Sequence, residues 1–186
     1  MAINYSRLRN RAHDLLNGQT EPPVDVEAIA ETLGASVRAL DMEMDVAGVL
    51  YRQGDHKVIA VNQMHPLTRR RFTIAHEIGH LVLHRGVPVH VDQGFRINLR
   101  DPSSAQGQEI EEIEANAFAA NLLMPFYWLR NDLRADLIDL DDSSEVKELA
   151  ERYQVSQQAM LIRLTTLFGT SASSKKLETK RSGKDE

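Results

Sequence analysis

Arg71-Phe72-Thr73-Ile74-Ala75-His76-Glu77-Ile78-Gly79-His80-Leu81-Val82-Leu83-His84 is the stretch on which the reading of this chain turns. It contains His76-Glu77-x-x-His80 in an otherwise apolar run. On a helix, residues four apart lie one above the other on the same face, so both imidazoles can converge on one metal ion. Glu77 leaves the helix roughly 100° further round, which sets it beside the open position of such an ion rather than among its ligands. This is the spacing in which a His pair holds Zn²⁺ and the intervening Glu serves as general base of a peptidase. The flanking residues are apolar almost all round the helix, so the helix belongs in a core. An unpartnered polar group there costs about 2–7 kcal/mol, and a metal supplies the partner. The competing interpretation is a pair of core histidines hydrogen-bonded to each other or to their surroundings.

Upstream, residues 4–17 read as an amphipathic helix with Leu8, Ala12, Leu15 and Leu16 on one side, stopped by Asn17-Gly18. After the turn at Pro22-Pro23, a short helix carries Val26, Ile29, Ala30 and Leu33 and ends at Gly34. Ala35–Leu40, Val46–Tyr51 and Lys57–Val61 read as strands, the last two joined by a hairpin turn at Gln53-Gly54-Asp55-His56. They predict a small antiparallel sheet. Pro66 suits the first turn of the His-bearing helix. The run Arg69-Arg70-Arg71 is either a grip for substrate or phosphate or, more commonly, a solvated face.

Downstream, residues 86–107 lack helical periodicity, with short edge strands expected at Val87–Val91 and Phe95–Leu99 and a loop at 101–107. Residues 109–124 form a strong helix that Pro125 ends. Glu112, Ala115, Asn116 and Ala119 share one of its faces, so a carboxylate and an amide stand on a surface small enough for another helix to approach. Residues 126–140 are amphipathic, residues 139–144 an acidic linker, and 146–153 and 156–168 two further helices, with Ser156 as cap. Thr170–Glu186, rich in Ser and Lys, is expected to be disordered. The expected organisation is one α+β domain over 1–169, mostly helical, with the helical pair 143–168 packed on it, and a disordered tail over 170–186.

A peptidase zinc site needs three protein ligands and one open position. His84 is eight residues beyond His76, about 12 Å along a straight helix, too far to share an ion with both histidines. Among Glu109, Glu111, Glu112 and Glu114, Glu112 has the best claim, with Asn116 placed to orient a ligand. On spacing alone it is equally a solvent-facing acid in an acidic first turn.

The totals narrow the field. The chain has 186 residues, 42% of them hydrophobic, enough for one proper core. With no cysteine, disulfides, thiolate zinc sites and cysteine nucleophiles are excluded. The N-terminus lacks an apolar signal core and no segment approaches the roughly 18 apolar residues of a membrane span, so a cytoplasmic setting is expected. A formal net charge of −5 gives no global basic footprint for nucleic acid.

His76-Glu77-Ile78-Gly79-His80, preceded by Arg71-Phe72-Thr73-Ile74-Ala75, together with Glu112-x-x-Ala115-Asn116-x-Phe118-Ala119-Ala120-x-Leu122-Leu123-Met124-Pro125, resembles the ImmA/IrrE family of metallo-endopeptidases. Pro23-Val24-Asp25-Val26 to Leu33-Gly34 and Val155-Ser156 to Arg163-Leu164 also look like that family, so the likeness spans roughly residues 4–168. The resemblance implies a zincin-like (gluzincin-like) domain with one zinc on His76, His80 and Glu112 and Glu77 as base. It also implies a regulatory protease cleaving a helix-turn-helix repressor, in stress response or mobile-element control. Some members carry an extra C-terminal sensory domain, for which no room is expected after residue 168.

Tyr153, Tyr127 and Tyr51 are the candidates for an added oxyanion donor. A site of N and O donors also accepts Mn²⁺ or Co²⁺. Two rivals stand beside the protease. One is a zinc-binding regulator or toxin acting by protein or DNA binding without proteolysis, against which the intact Glu77 argues. The other is DNA binding by residues 146–168, which have a helix-turn-helix look. The second helix carries Arg163 as its one cation up to residue 168, which favours packing on the domain or docking of substrate over reading of bases.

Overall fold

The structure is a computed structural model describing residues 3–85, 87–92, 102–133 and 143–181. In chain order its elements are α1 (Tyr5–Asp14), α2 (Val26–Thr32), β1 (Ala35–Leu40), β2 (Gly48–Gln53), β3 (His56–Asn62), α3 (Leu67–Leu83), β4 (Val89–Asp92), α4 (Pro102–Leu123), α5 (Phe126–Asp132), α6 (Ser143–Tyr153) and α7 (Gln157–Arg181). Local chemistry sets several of the ends. The Asn4 side chain accepts from the Arg7 amide at 3.0 Å and Asp25 accepts from Ala28 at 2.9 Å, giving α1 and α2 their N-caps. Ser156 does the same for α7, accepting from Ala159 at 3.1 Å.

The sheet has the order β1-β3-β2-β4. The expected antiparallel pairing holds for β2 with β3 and for β2 with β4, but β1 lies parallel to β3, so the sheet is mixed. The hairpin reverses the chain between β2 and β3, and the segment after β1 crosses to the far side of β3 before β2 begins. Buried Asn62 holds that crossing segment. Its amide nitrogen donates to the carbonyls of Met42, Glu43 and Val46 at 3.3, 3.0 and 3.0 Å.

Helix α3 is the centre of the molecule. Thr73 through His80 are all buried, eight successive residues with no solvent face. One side meets the sheet, with Leu50, Ile59 and Val61 in the shared core, and another meets Phe118, Ala119 and Leu122 of α4. Each large apolar side chain so buried contributes about 1.5–3 kcal/mol. The α6–α7 hairpin adds Tyr153, Val155, Met160 and Leu164 to the same core. Arg163 ties it on, donating to the Met124 carbonyl at 3.1 Å and the Asn121 side chain at 2.8 Å. Among the described residues, no helix is long and apolar enough to cross a membrane.

Three further expectations change. Helix α4 begins at Pro102, so the stretch expected as a loop is mostly helical, with Pro at the position where a missing N–H is harmless. Helix α7 continues to Arg181, so 170–181 is helical where disorder is expected. No Gly or Pro intervenes between Thr170 and Arg181, and extending an existing helix is far easier than nucleating one. Arg71 is not a solvated cation, for it donates to the Val24 carbonyl at 2.7 Å, while burial lowers its pKa. The strand expected at Phe95–Leu99 and most of the acidic linker lie outside the described residues.

Candidate metal centre

The site forms where α3 and α4 cross, and Gly79 permits the crossing. A β-carbon at Gly79 would stand 3.1 Å from both the Ala115 Cα and the Phe118 ring, and 3.3 Å from the Ala115 carbonyl. Two of those three neighbours are backbone, which cannot swing aside. The Gly79–Ala115 contact thus brings the His face of α3 within reach of Glu112, one turn before Ala115 on α4.

Three donors meet there. His76 Nε2 and His80 Nε2 are 3.0 Å apart, Glu112 Oε2 is 3.3 Å from His76, and Glu112 Oε1 is 3.3 Å from His80. A tetrahedral zinc with bonds of about 2.0–2.1 Å sets its donors roughly 3.3–3.4 Å apart, close to this triangle. The far nitrogen of His76 lies 3.1 Å from Asn116 Oδ1, an atom that only accepts, so His76 Nδ1 carries a proton and Nε2 keeps its lone pair when the ring is neutral. A lone pair aimed at another imidazole nitrogen and a carboxylate is the arrangement a cation satisfies. Burial holds the His80 pKa down to about 4, helped by the charges of His76 and His90 and opposed by its bond to Glu112, so its ring stays neutral. Burial pulls His76 the same way, but Glu112 and the charges of Glu77 and Asp92 carry it above its usual value.

Glu77 is fully buried beside this triangle. Its Oε2 lies 3.3 Å from His90 Nδ1, while Oε1 has no hydrogen-bond partner among the described residues. Burial pushes its pKa up, opposed by His90 and His76. Gly48 of β2 makes room here, because a β-carbon at that position would run into the Thr73 methyl and stand 3.6 Å from Glu77 Oε1.

His90 is the residue that sequence reasoning missed. It lies on β4 opposite Leu50, on the sheet face that meets α3. Its Nδ1 reaches Glu77, and its Nε2 reaches Glu112 Oε1 at 3.0 Å. Burial alone would lower it, but two carboxylates push it up to about 10. Burial alone would raise Glu112, but bonds from His76, His80 and His90 hold it well below the usual carboxylate range. The one signal in the sequence is the alternation Val89-His90-Val91-Asp92, which places His90 and Asp92 on one side of a strand and leaves Val89 and Val91 exposed on the other.

The structure brings together His76, His80, Glu112, Glu77 and Asn116. It gives the three tyrosines other work. The Tyr153 hydroxyl donates to Asp132 at 2.7 Å from a fully buried ring. Tyr127 is exposed and packs edge-on against His13 and Phe126. The Tyr51 hydroxyl bonds to Gln53, and Tyr51 alternates with Leu50 and Arg52, which face α3. His84 touches the far nitrogen of His80, on the side away from the donor triangle, as its distance along the helix requires.

An α+β domain whose buried central helix carries His-Glu-x-x-His against a second helix with an inward carboxylate defines the zincin-like metallopeptidase class. The sequence profile of the peptidase M78 family, described as the IrrE N-terminal-like domain, matches residues 30–165. The chain belongs to this family, and membership implies a divalent metal and a protein substrate. Among curated proteins, the radiation response metalloprotease IrrE of Deinococcus radiodurans is 29% identical over 143 residues, which take in 72% of this chain and 39% of that protein. The chain therefore spans well under half the length of that relative. Among solved structures, a Mycobacterium tuberculosis transcriptional regulator is similar with a TM-score of 0.59 at 20% identity, over 86% of this chain and 55% of that one. At that identity the likeness concerns the fold alone.

Proposed function

We propose that the protein is a zinc-dependent endopeptidase with His76, His80 and Glu112 as the metal ligands and Glu77 as the general base. The observation that carries this reading is the near-tetrahedral triangle of 3.0–3.3 Å between the three donors, with an orphaned carboxylate oxygen of Glu77 beside it. When bound, the metal would polarise the scissile carbonyl and lower the pKa of a water towards about 7. Glu77 would take the proton of that water and hand it to the leaving amine, and its raised pKa suits a group that must both accept and release. His90 would hold the Glu77 carboxylate in register, and Asn116 would fix the ring of His76. Mn²⁺ or Co²⁺ would fit the same N and O donors.

The substrate we favour is a helix-turn-helix repressor inside the cell, cleaved in stress response or mobile-element control. The radiation response named for the Deinococcus relative is consistent with this choice. Direct DNA binding by the part of α7 before residue 169 is less well supported, since Arg163, its one cation, is buried and spends its donors on Met124 and Asn121. The test is incubation of the zinc-loaded protein with helix-turn-helix repressors encoded beside its gene. Wild type should cut one of them, and Glu77→Gln should retain zinc and lose cleavage by about 10²–10⁴-fold. Unchanged cleavage by the variant would remove Glu77 from the reaction.

A further inference from the structure

We propose that His84 and Glu114 form a relay that positions His80, fixing its tautomer and ring orientation so that Nε2 is presented to the metal. The proposal rests on the reading of His76, His80 and Glu112 as ligands. His80 Nε2 faces His76 and Glu112, so Nδ1 points the other way and lies 3.2 Å from His84 Nδ1. His84 Nε2 lies 3.1 Å from Glu114 Oε2. A neutral imidazole has one donor and one acceptor nitrogen. If His80 gives its Nε2 lone pair to a metal, its proton sits on Nδ1 and is donated to His84. His84 Nδ1 must then accept, its own proton must sit on Nε2, and that proton goes to the Glu114 carboxylate. A single proton arrangement satisfies all three side chains.

The backbone is built to hold this relay. His84 is the first residue past α3, with extended backbone angles (φ −118°, ψ 142°), where a helix end normally leaves its carbonyls open. Arg52 of β2 closes that end. Its Nη1 donates to the carbonyls of His80 at 3.0 Å and His84 at 2.9 Å, and its Nε donates to Val87 at 3.2 Å. The two ligand histidines are therefore supported differently. His76 leans on a neutral amide, whereas His80 leans on a second imidazole backed by a carboxylate.

His80, His84 and Glu111 also lie close enough to hold an ion of their own. That arrangement would need His80 to give up both nitrogens at once, as an imidazolate.

Zinc affinity, measured by competition against a chromogenic chelator, tests the relay in wild type, Glu112→Ala, His84→Leu, His84→Asn and Glu114→Gln. The melting temperature of each chelator-stripped protein is read alongside. His84→Leu should bind zinc about 10–100-fold more weakly, with the stripped protein melting as wild type does. His84→Asn sets a carbonyl oxygen where Nδ1 stood and should recover most of the loss, while Glu114→Gln should lose less than His84→Leu. If wild type takes one zinc that Glu112→Ala loses, yet His84→Leu matches wild type, the relay is overturned and the metal site stands. Should wild type bind no zinc, or Glu112→Ala bind as wild type does, the metal-site reading itself fails. Weakened binding that His84→Asn does not recover, with a lowered melting temperature, would reduce His84 to packing. A second zinc equivalent lost in His84→Leu would make it a ligand, and either result overturns the relay.

Discussion

The two sides of the candidate site are built by different means. On the helical side, His76, His80, Glu112 and Asn116 come from two helices locked together by Gly79 and Ala115. Their relative positions follow from helical spacing and one close contact. On the strand side, His90 comes from the edge strand β4, held to the rest by its pairing with β2. The helical side follows from spacing within two helices and their one close approach, and it is the side that offers metal donors. The strand side is assembled from distant segments and touches both Glu77, the proposed base, and Glu112, the proposed ligand. The difference teaches that the donor set can be broken from the helical side alone, whereas a change on the strand side acts through the carboxylates.

Breaking the helical side should have the largest effect. Glu112→Ala removes one corner of the donor triangle, and the expected outcome is loss of co-purifying metal, read by mass spectrometry, together with loss of all cleavage. Gly79→Val should come next, because its β-carbon meets Ala115 backbone as well as the Phe118 ring. We expect a cost of about 1–3 kcal/mol in denaturant unfolding, and weaker metal binding as α3 and α4 separate. Wild-type stability in that variant would mean the helices have slack.

The strand side should respond more gently. His90→Gln should keep its metal and lose part of its activity, less than Glu77→Gln does. A titration sharpens the contrast in protein stripped of metal by chelator. The His90 pKa is raised from 6.5 to about 10, against the pull of burial, by its bonds to Glu112 and Glu77. Its contribution to stability is then complete below pH 6.5 and is lost as pH climbs towards 10. The gap in melting temperature between wild type and His90→Gln should therefore shrink across that window, and a constant gap would show that His90 acts by packing alone. The smallest effect is expected from Asn116→Ala, about 10-fold in zinc affinity, because His76 loses a neutral partner.

Much of this was legible beforehand, for reasons that differ by residue. The cap at Ser156 and the hairpin at 53–56 are short-range devices that composition announces. His84 was separable from the ligands because rise per residue is a fixed quantity. The tyrosines were not assignable, since nothing local says that Tyr153 will donate to Asp132, 21 residues away. Nor was the parallel β1–β3 pairing, because a strand's neighbours depend on where the chain crosses, which buried Asn62 organises here.

By itself the sequence determined the central helix, its His pair and Glu77, the capped and periodic helices around it, and Glu112 with Asn116 as one face of a second helix. All of these are repeats of a fixed local geometry, 3.6 residues per turn, and need no knowledge of what lies opposite. Only the tertiary structure decided that Glu112 meets the histidines across Gly79, that His90 stands against Glu77 and Glu112, that Arg52 closes the end of α3, and that Glu114 backs His84. These are contacts between residues at least 13 positions apart in the chain. Side-chain identity says what such groups could bond to, while the packing of sheet, α3 and α4 decides which of them meet.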